Sequence, residues 1–89
     1  MKGKSNQVSR KKKKLELDSG EVIEKLGARI RQLRKLQGHS YETFAYENEI
    51  PRAQYGRIEK GQNITIATLV RVLNGLDISL KEFFSEGFE

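Results

Sequence analysis

Residues 38–61 read GHSYETFAYENEIPRAQYGRIEKG, and this stretch decides the fold of the chain. It predicts a short helix, a tight turn and a second helix, because two helices that pack across a short turn need apolar residues at particular places. Such residues occur in the first helix, just after the turn and along the inner side of the second helix: Phe44, Ala45, Ile50, Tyr55 and Ile58. The stretch therefore predicts a helix-turn-helix unit.

The second helix of this unit has an outer face suited to DNA. Ala45 is small where the two helices approach each other, and Tyr55 and Ile58, three residues apart, share the inner side. The outer side carries Arg52, Ala53, Gln54 and Arg57. Small proteins read DNA by laying such a helix in the major groove, so we expect a DNA-binding unit.

The longer stretch from about Leu26 to Phe84, which contains this unit, resembles the Cro/CI-type (XRE) helix-turn-helix family. LGARIRQLRKLQG is similar to the family's first helix, RAQYGRIEKG to its recognition helix and closing turn, and LVRVLNGLDISLKEFF to its last two helices. The RIEKG stretch with Arg34 upstream is fairly specific to the family. The resemblance implies an all-α fold, a compact five-helix bundle of the lambda-repressor-like DNA-binding type.

Residue types that cap or open helices mark five expected helix starts: Asp18 or Ser19, Ser40, Pro51, Thr65 and Ser79. Gly38 and Gly61 should end the first and third helices, because glycine accepts the left-handed conformation. Apolar residues at helical spacing should face the core in the first and fourth helices: Ile23, Leu26, Ile30 and Leu33, then Leu69, Val70, Leu73 and Leu76. The short fifth helix contains Leu80, Phe83 and Phe84.

Composition fits one small helical domain. The chain has 89 residues, of which 36% are apolar, with one proline and no cysteine, so the fold must rest on packing rather than on disulfides. No apolar run reaches the length of a signal peptide or membrane span, which predicts a cytoplasmic protein with no membrane partner.

Charge divides the chain into two regions. Residues 1–14 hold seven basic residues and no acid, so the rest of the chain carries −2 although the total is +5. We expect residues 1–16 to form a basic, disordered arm and residues 17–89 the DNA-binding domain. The arm either binds DNA phosphates or is a solvated tail that aids solubility.

Pro51, which opens the recognition helix, is a candidate DNA contact, and the outer face of that helix contains four candidate base contacts. Arg52 lies just past the helix start, where an arginine can bond both O6 and N7 of guanine. Arg57 can reach a base or phosphate, Ala53 a thymine methyl, and Gln54 an adenine or phosphate. An ordinary solvated helix face is the alternative for each.

Phosphate contacts are expected at helix starts and in the loop after the recognition helix, from Ser40, Tyr41, Lys60 and Asn63. Tyr41 stands where the family usually has a glutamine, so it either donates to a phosphate or packs against the recognition helix. Arg34 and Glu59 resemble the family's buried ion pair, which implies a structural link between the first and third helices.

Three residues depart from the family pattern. Asn48 occupies a usually apolar position, and Glu49 stands where the turn usually has glycine. A left-handed Glu49 would cost about 1 kcal/mol, so we expect a reshaped turn in which Asn48 takes the unusual angles. Gly56 either lets the helix backbone approach DNA closely or is simply a tolerated small residue.

Catalytic residues are not apparent in the sequence. His39 is the only histidine and lies in a turn, while Glu42, Glu47 and Glu49 read as a solvated surface. We therefore expect no enzymatic activity, no metal and no cofactor.

Two function classes remain. The first is a transcriptional regulator, a repressor or autoregulator, that binds a palindromic operator in double-stranded DNA as a homodimer. The second is an interaction module such as an antitoxin with a toxin partner. Phe83, Phe84 and Phe88 are candidate dimer contacts, and the alternative is that they cover the domain's own core.

Overall fold

Five helices follow one another through residues 16–89, the part of the chain that the computed structural model describes. Their bounds are α1 (Ser19–Leu36), α2 (Tyr41–Glu47), α3 (Arg52–Glu59), α4 (Ile66–Leu76) and α5 (Leu80–Phe83). These residues contain no strand, and the all-α, five-helix prediction is confirmed. The predicted basic arm, residues 1–16, lies outside the described residues apart from Glu16.

The predicted helix starts are confirmed. The side chains of Asp18, Ser40, Thr65 and Ser79 each accept a hydrogen bond from the backbone N–H three residues later, at 3.0 to 3.1 Å. These bonds satisfy N–H groups that have no partner within the helix. Pro51 precedes α3 without a side-chain cap, and Gly38 and Gly61 follow α1 and α3 with φ of 79° and 93°.

All five helices contribute buried side chains to the core, and two sequence predictions about it were wrong. Val70 is 44% exposed, because the buried side of α4 is set by the i, i+3, i+4, i+7 series Leu69, Val72, Leu73 and Leu76. Val22 and Ile23 are both half-buried, and Val22 rather than Ile23 packs against the core.

Close contacts between helices position the recognition helix. A side chain at Gly27 of α1 would run into the backbone carbonyl of Ile58 in α3, so glycine lets the two helices cross closely. On the other side of α1, buried Arg29 donates from Nε to the Phe83 carbonyl at 2.9 Å and from Nη2 to that of Glu82 at 3.1 Å. No pattern in the sequence predicts this link between α1 and α5.

No helix within residues 16–89 is both long and apolar enough to cross a membrane.

Candidate DNA interface

The recognition helix α3 turns one face inward and leaves the other in solvent. Tyr55 and Ile58 are buried, whereas Arg52, Ala53 and Arg57 are exposed. Gln54, predicted as a base contact, is half-buried. The exposed side is therefore a short polar surface with two arginines five residues apart. Nothing in residues 16–89 covers this surface, so α3 can enter the major groove of DNA.

A buried charge network attaches α3 to α1. Arg34 donates from Nε to Glu59 Oε2 at 2.7 Å and from Nη2 to Oε1 at 3.0 Å, and its Nη1 reaches the His39 carbonyl at 3.0 Å. The Tyr55 hydroxyl also donates to Glu59 Oε2. The Arg34 and Glu59 side chains are only 9% exposed and are joined by two hydrogen bonds. This buried, doubly bonded pair restricts the angle between α3 and α1.

The network shifts two pKa values. The hydrogen bond to Glu59 raises the pKa of Arg34, so its charge is secure. Burial, followed by the bond to Glu59, raises the pKa of Tyr55 above its ordinary value. The Tyr55 phenol therefore stays protonated and remains a donor to the carboxylate.

The turn between α2 and α3 differs from the expectation. Glu49, not Asn48, has the left-handed conformation, with φ of 58° against −105° for Asn48. Asn48 instead donates from Nδ2 to the Phe44 carbonyl at 2.8 Å, and it occupies space that a side chain at Gly75 would fill. The Asn48 side chain thus binds the end of α2, and the strain falls on Glu49.

Tyr41 packs against the recognition helix. Its hydroxyl donates to the Arg52 carbonyl at 3.3 Å, and its ring centroid lies 5.8 Å from that of Tyr55. A Cβ atom at Gly56 would lie 2.5 Å from the same hydroxyl. Gly56 therefore makes room for Tyr41, a reason that differs from both alternatives drawn from the sequence.

Arg52 is held by exposed contacts. Its Nη2 lies 3.2 Å from Glu42 Oε2, and its guanidinium carbon lies 5.8 Å from the centroid of the Tyr41 ring. From the sequence, Glu42 was expected on a solvated surface, and its ion pair with Arg52 was not predicted. The signal was the register of the unit, since Glu42 and Arg52 each lie in the first turn of their helix.

The candidate phosphate contacts surround α3. Ser40 lies at the start of α2, and its Oγ accepts from the Thr43 N–H. Asn63 Oδ1 accepts from the Ile64 N–H at 2.9 Å, in the loop after α3. Lys60, directly after α3, is exposed. These contacts with DNA stay predictions, as do the base contacts.

The three phenylalanines at the end of the chain are not equivalent. Phe83 is fully buried and belongs to the domain's own core, so its prediction as a dimer contact was wrong. Phe84 is 42% exposed, and Phe88 is half-buried against Phe83, with ring centroids 5.8 Å apart. Phe84 is thus the most exposed of the three, although its ring centroid lies 4.9 Å from that of Phe83 and 4.8 Å from that of Phe88.

A short helix, a tight turn and an exposed recognition helix on a helical core define a helix-turn-helix DNA-binding protein. A family profile described as helix-turn-helix matches residues 30–83. The chain is 34% identical over 64 residues to control protein C.MunI of Mycoplasma sp, covering 70% of this chain and 86% of that protein. This chain belongs to the Cro/CI-type (XRE) helix-turn-helix family, whose members are sequence-specific DNA-binding transcriptional regulators rather than enzymes.

Two crystal structures are similar to the fold described here. The restriction-modification controller protein C.AhdI from Aeromonas hydrophila matches with a TM-score of 0.67 and 32% identity, covering 72% of this chain and 98% of that one. The wild-type controller protein C.Esp1396I matches with a TM-score of 0.66 and 30% identity, covering 71% of this chain and 83% of that one.

Proposed function

We propose that this protein controls transcription in a restriction-modification system by binding a palindromic operator as a homodimer. The observation that carries the proposal is the exposed side of α3, with Arg52 and Arg57 on a helix whose inner side is attached to α1 by buried charges. Similarity to control and controller proteins supports the regulatory role. As a repressor or autoregulator, the protein acts in the cytoplasm, where its operator is accessible.

A homodimer suits this surface because one α3 helix contacts only a few base pairs. Two recognition helices about 34 Å apart would read successive turns of the major groove and thereby gain selectivity. Leu80 is the first residue of α5, and Phe84 directly follows this helix. Both are apolar, and they are 57% and 42% exposed. We propose them as the anchor between two copies of the chain.

Selection of bound fragments from a random duplex pool tests the function. A palindromic consensus is expected, with Arg52→Ala and Arg57→Ala each losing preference at particular positions and Lys81→Ala, far along the chain on α5, retaining it. Salt-sensitive binding without a consensus would refute the regulator proposal and favour the interaction-module alternative, such as an antitoxin with a toxin partner. No contact within residues 16–89 favours that alternative.

Sedimentation of Phe84→Ala tests the dimer anchor. We expect a lower mass than for the wild type at equal concentration, because an exposed aromatic anchor is removed. Tyr46→Ala is the matched control, since Tyr46 is 84% exposed on α2 and has no part in the proposed anchor. An unchanged mass for Phe84→Ala would remove Phe84 from the interface.

A further inference from the structure

The crossing of α1 and α3 brings an unassigned arginine to the DNA-binding region. The two helices cross at Gly27, where a side chain would meet the backbone of Ile58 and Glu59. Arg31 lies one helical turn further along α1 on the same side. It therefore arrives beside the end of α3, where Lys60 begins the following loop.

An open cleft lies at this place. Its walls come from α1, α2 and α3, and it is lined by Arg31, Arg34, Tyr41, Gly56, Glu59 and Lys60. The cleft exists because Gly56 has no side chain, and the Tyr41 hydroxyl approaches that position from one side. Gly56 lies in α3 and Lys60 directly follows it, so the recognition helix forms one wall of the cleft.

The charges around the cleft favour an anion. Glu59 is the only carboxylate among the lining residues, and Arg34 binds both of its oxygens. The two remaining cations, Arg31 and Lys60, are exposed, and neither forms an ion pair with any residue in the range 16–89. Two cations without an ion-pair partner in residues 16–89 thus lie at one opening, on a domain whose total charge is slightly negative.

We propose that Arg31 and Lys60 together bind a phosphate of the DNA backbone next to the major groove occupied by α3. This adds a residue of α1 to the interface, whereas the sequence pattern pointed to the basic arm, α2, α3 and the loop that follows α3. A planar guanidinium can bond two phosphate oxygens, and the Lys60 ammonium adds a point charge. The inference rests on DNA binding by α3 and goes beyond it in assigning Arg31.

DNA binding by Arg31→Gln as a function of salt concentration tests the proposal. We expect the affinity for the selected operator to fall about three- to tenfold, and the negative slope of log K against log salt to become shallower by about one. The same changes are expected for duplexes of any other sequence. Arg31→Lys should retain the wild-type slope. Lys81→Gln is the matched control for a lost surface charge. Because Lys81 neighbours the proposed dimer anchor, sedimentation first shows that its mass equals that of the wild type, and its DNA affinity should then stay near the wild-type value.

The outcomes separate the new inference from the proposed function. If the wild-type protein selects no sequence, the proposed function fails, yet salt-dependent binding to any duplex still reports on Arg31. If the wild type binds and Arg31→Gln matches Lys81→Gln in affinity and slope, the assignment of Arg31 is wrong. A thermal melt of each variant shows whether folding has changed. The assignment would also be overturned if Arg31→Gln and Arg31→Lys lost the same affinity while the salt slope stayed unchanged.

Inorganic phosphate distinguishes the two sources of the same chemical group. Amide NMR shifts of Gly56 and Lys60 should respond weakly to inorganic phosphate and strongly to the duplex, since a backbone phosphate is held in place by neighbouring contacts. Saturation by inorganic phosphate alone at concentrations comparable to those of the protein would show a free-anion site and overturn the assignment to DNA.

Discussion

The two sides of the recognition helix are held by different kinds of contact. On the α1 side, Arg34 and Glu59 form a buried pair that also receives the Tyr55 hydroxyl. On the α2 side, the contacts to Arg52 come from Glu42 and Tyr41 and are exposed. Buried pairs lose much when one partner is removed, whereas exposed pairs contribute little. Apolar side chains of α2, such as Phe44, also pack against Tyr55 of α3. Among the polar contacts, however, the buried pair to α1 fixes the position of α3, whereas the exposed pair to α2 orients the Arg52 side chain on its surface.

The largest difference between the two sides should appear when each loses its carboxylate. Glu59→Ala leaves Arg34 buried without its partner, so we expect a loss of about 3 kcal/mol in the free energy of unfolding and weaker DNA binding. Glu42→Ala removes an exposed partner and should change stability by less than about 1 kcal/mol. Thermal and urea unfolding measure both. Equal losses from the two variants would contradict the comparison.

The second prediction concerns the Tyr55 phenol on the buried side. Tyr55→Phe should lose about 1 kcal/mol near neutral pH, because the hydroxyl no longer donates to Glu59. Since the folded-state pKa of Tyr55 is raised, the unfolded phenol ionises first as pH rises above about 10. The phenol's stabilisation is present below that pH and is lost above it.

Urea unfolding of Tyr55→Phe and the wild type between about pH 7 and about pH 11 tests this sign. The difference between the two proteins should narrow as the solution becomes alkaline, because only the wild type loses the contribution of this phenol. A difference that widens above about pH 10 would contradict the raised pKa.

The third prediction tests the strained turn on the α2 side. Glu49→Gly should stabilise the protein by about 1 kcal/mol, because glycine adopts the left-handed conformation without a Cβ penalty. Asn48→Gly is the matched control and should destabilise it, since it removes the bond to the Phe44 carbonyl without relieving strain. Stabilisation by Asn48→Gly with none from Glu49→Gly would place the strain at the wrong residue.

The smallest expected effect comes from the fit between Tyr41 and Gly56. Alanine at position 56 favours the helix by about 1 kcal/mol, but its methyl group would meet the Tyr41 hydroxyl. In a Tyr41→Phe background the nearest remaining atom of that ring lies 3.4 Å away. We expect Gly56→Ala to stabilise the Tyr41→Phe protein and to bring no gain in the wild type. The same change in both backgrounds would disprove the coupling.

The elements with local causes were predictable from the sequence. Ser40, Thr65 and Ser79 bind backbone N–H groups of their own helices, so short-range chemistry was enough to locate those starts. Family resemblance added the pairing of Arg34 and Glu59, whose 25-residue separation no local pattern reveals. Arg52 and Arg57 could be placed on the outer face because helical spacing separates them from Tyr55 and Ile58.

Residues whose roles depend on distant neighbours were missed or misplaced. Asn48 fits because Gly75 in α4 leaves space for its amide, and this allows the strain to fall on Glu49. Arg29 appeared to be one of many charged residues until α5 placed two backbone carbonyls beside it.

The five helices, the helix-turn-helix unit and the polar outer face of α3 follow from the sequence alone, because capping, spacing and turn residues act over a few positions. Tertiary packing was needed to show that Gly56 accommodates Tyr41, that Phe83 is buried and Phe84 exposed, and that Arg31 and Lys60 line one cleft. Those outcomes depend on how closely helices cross and on which side chain fills the space between them. Packing of residues far apart in sequence sets both.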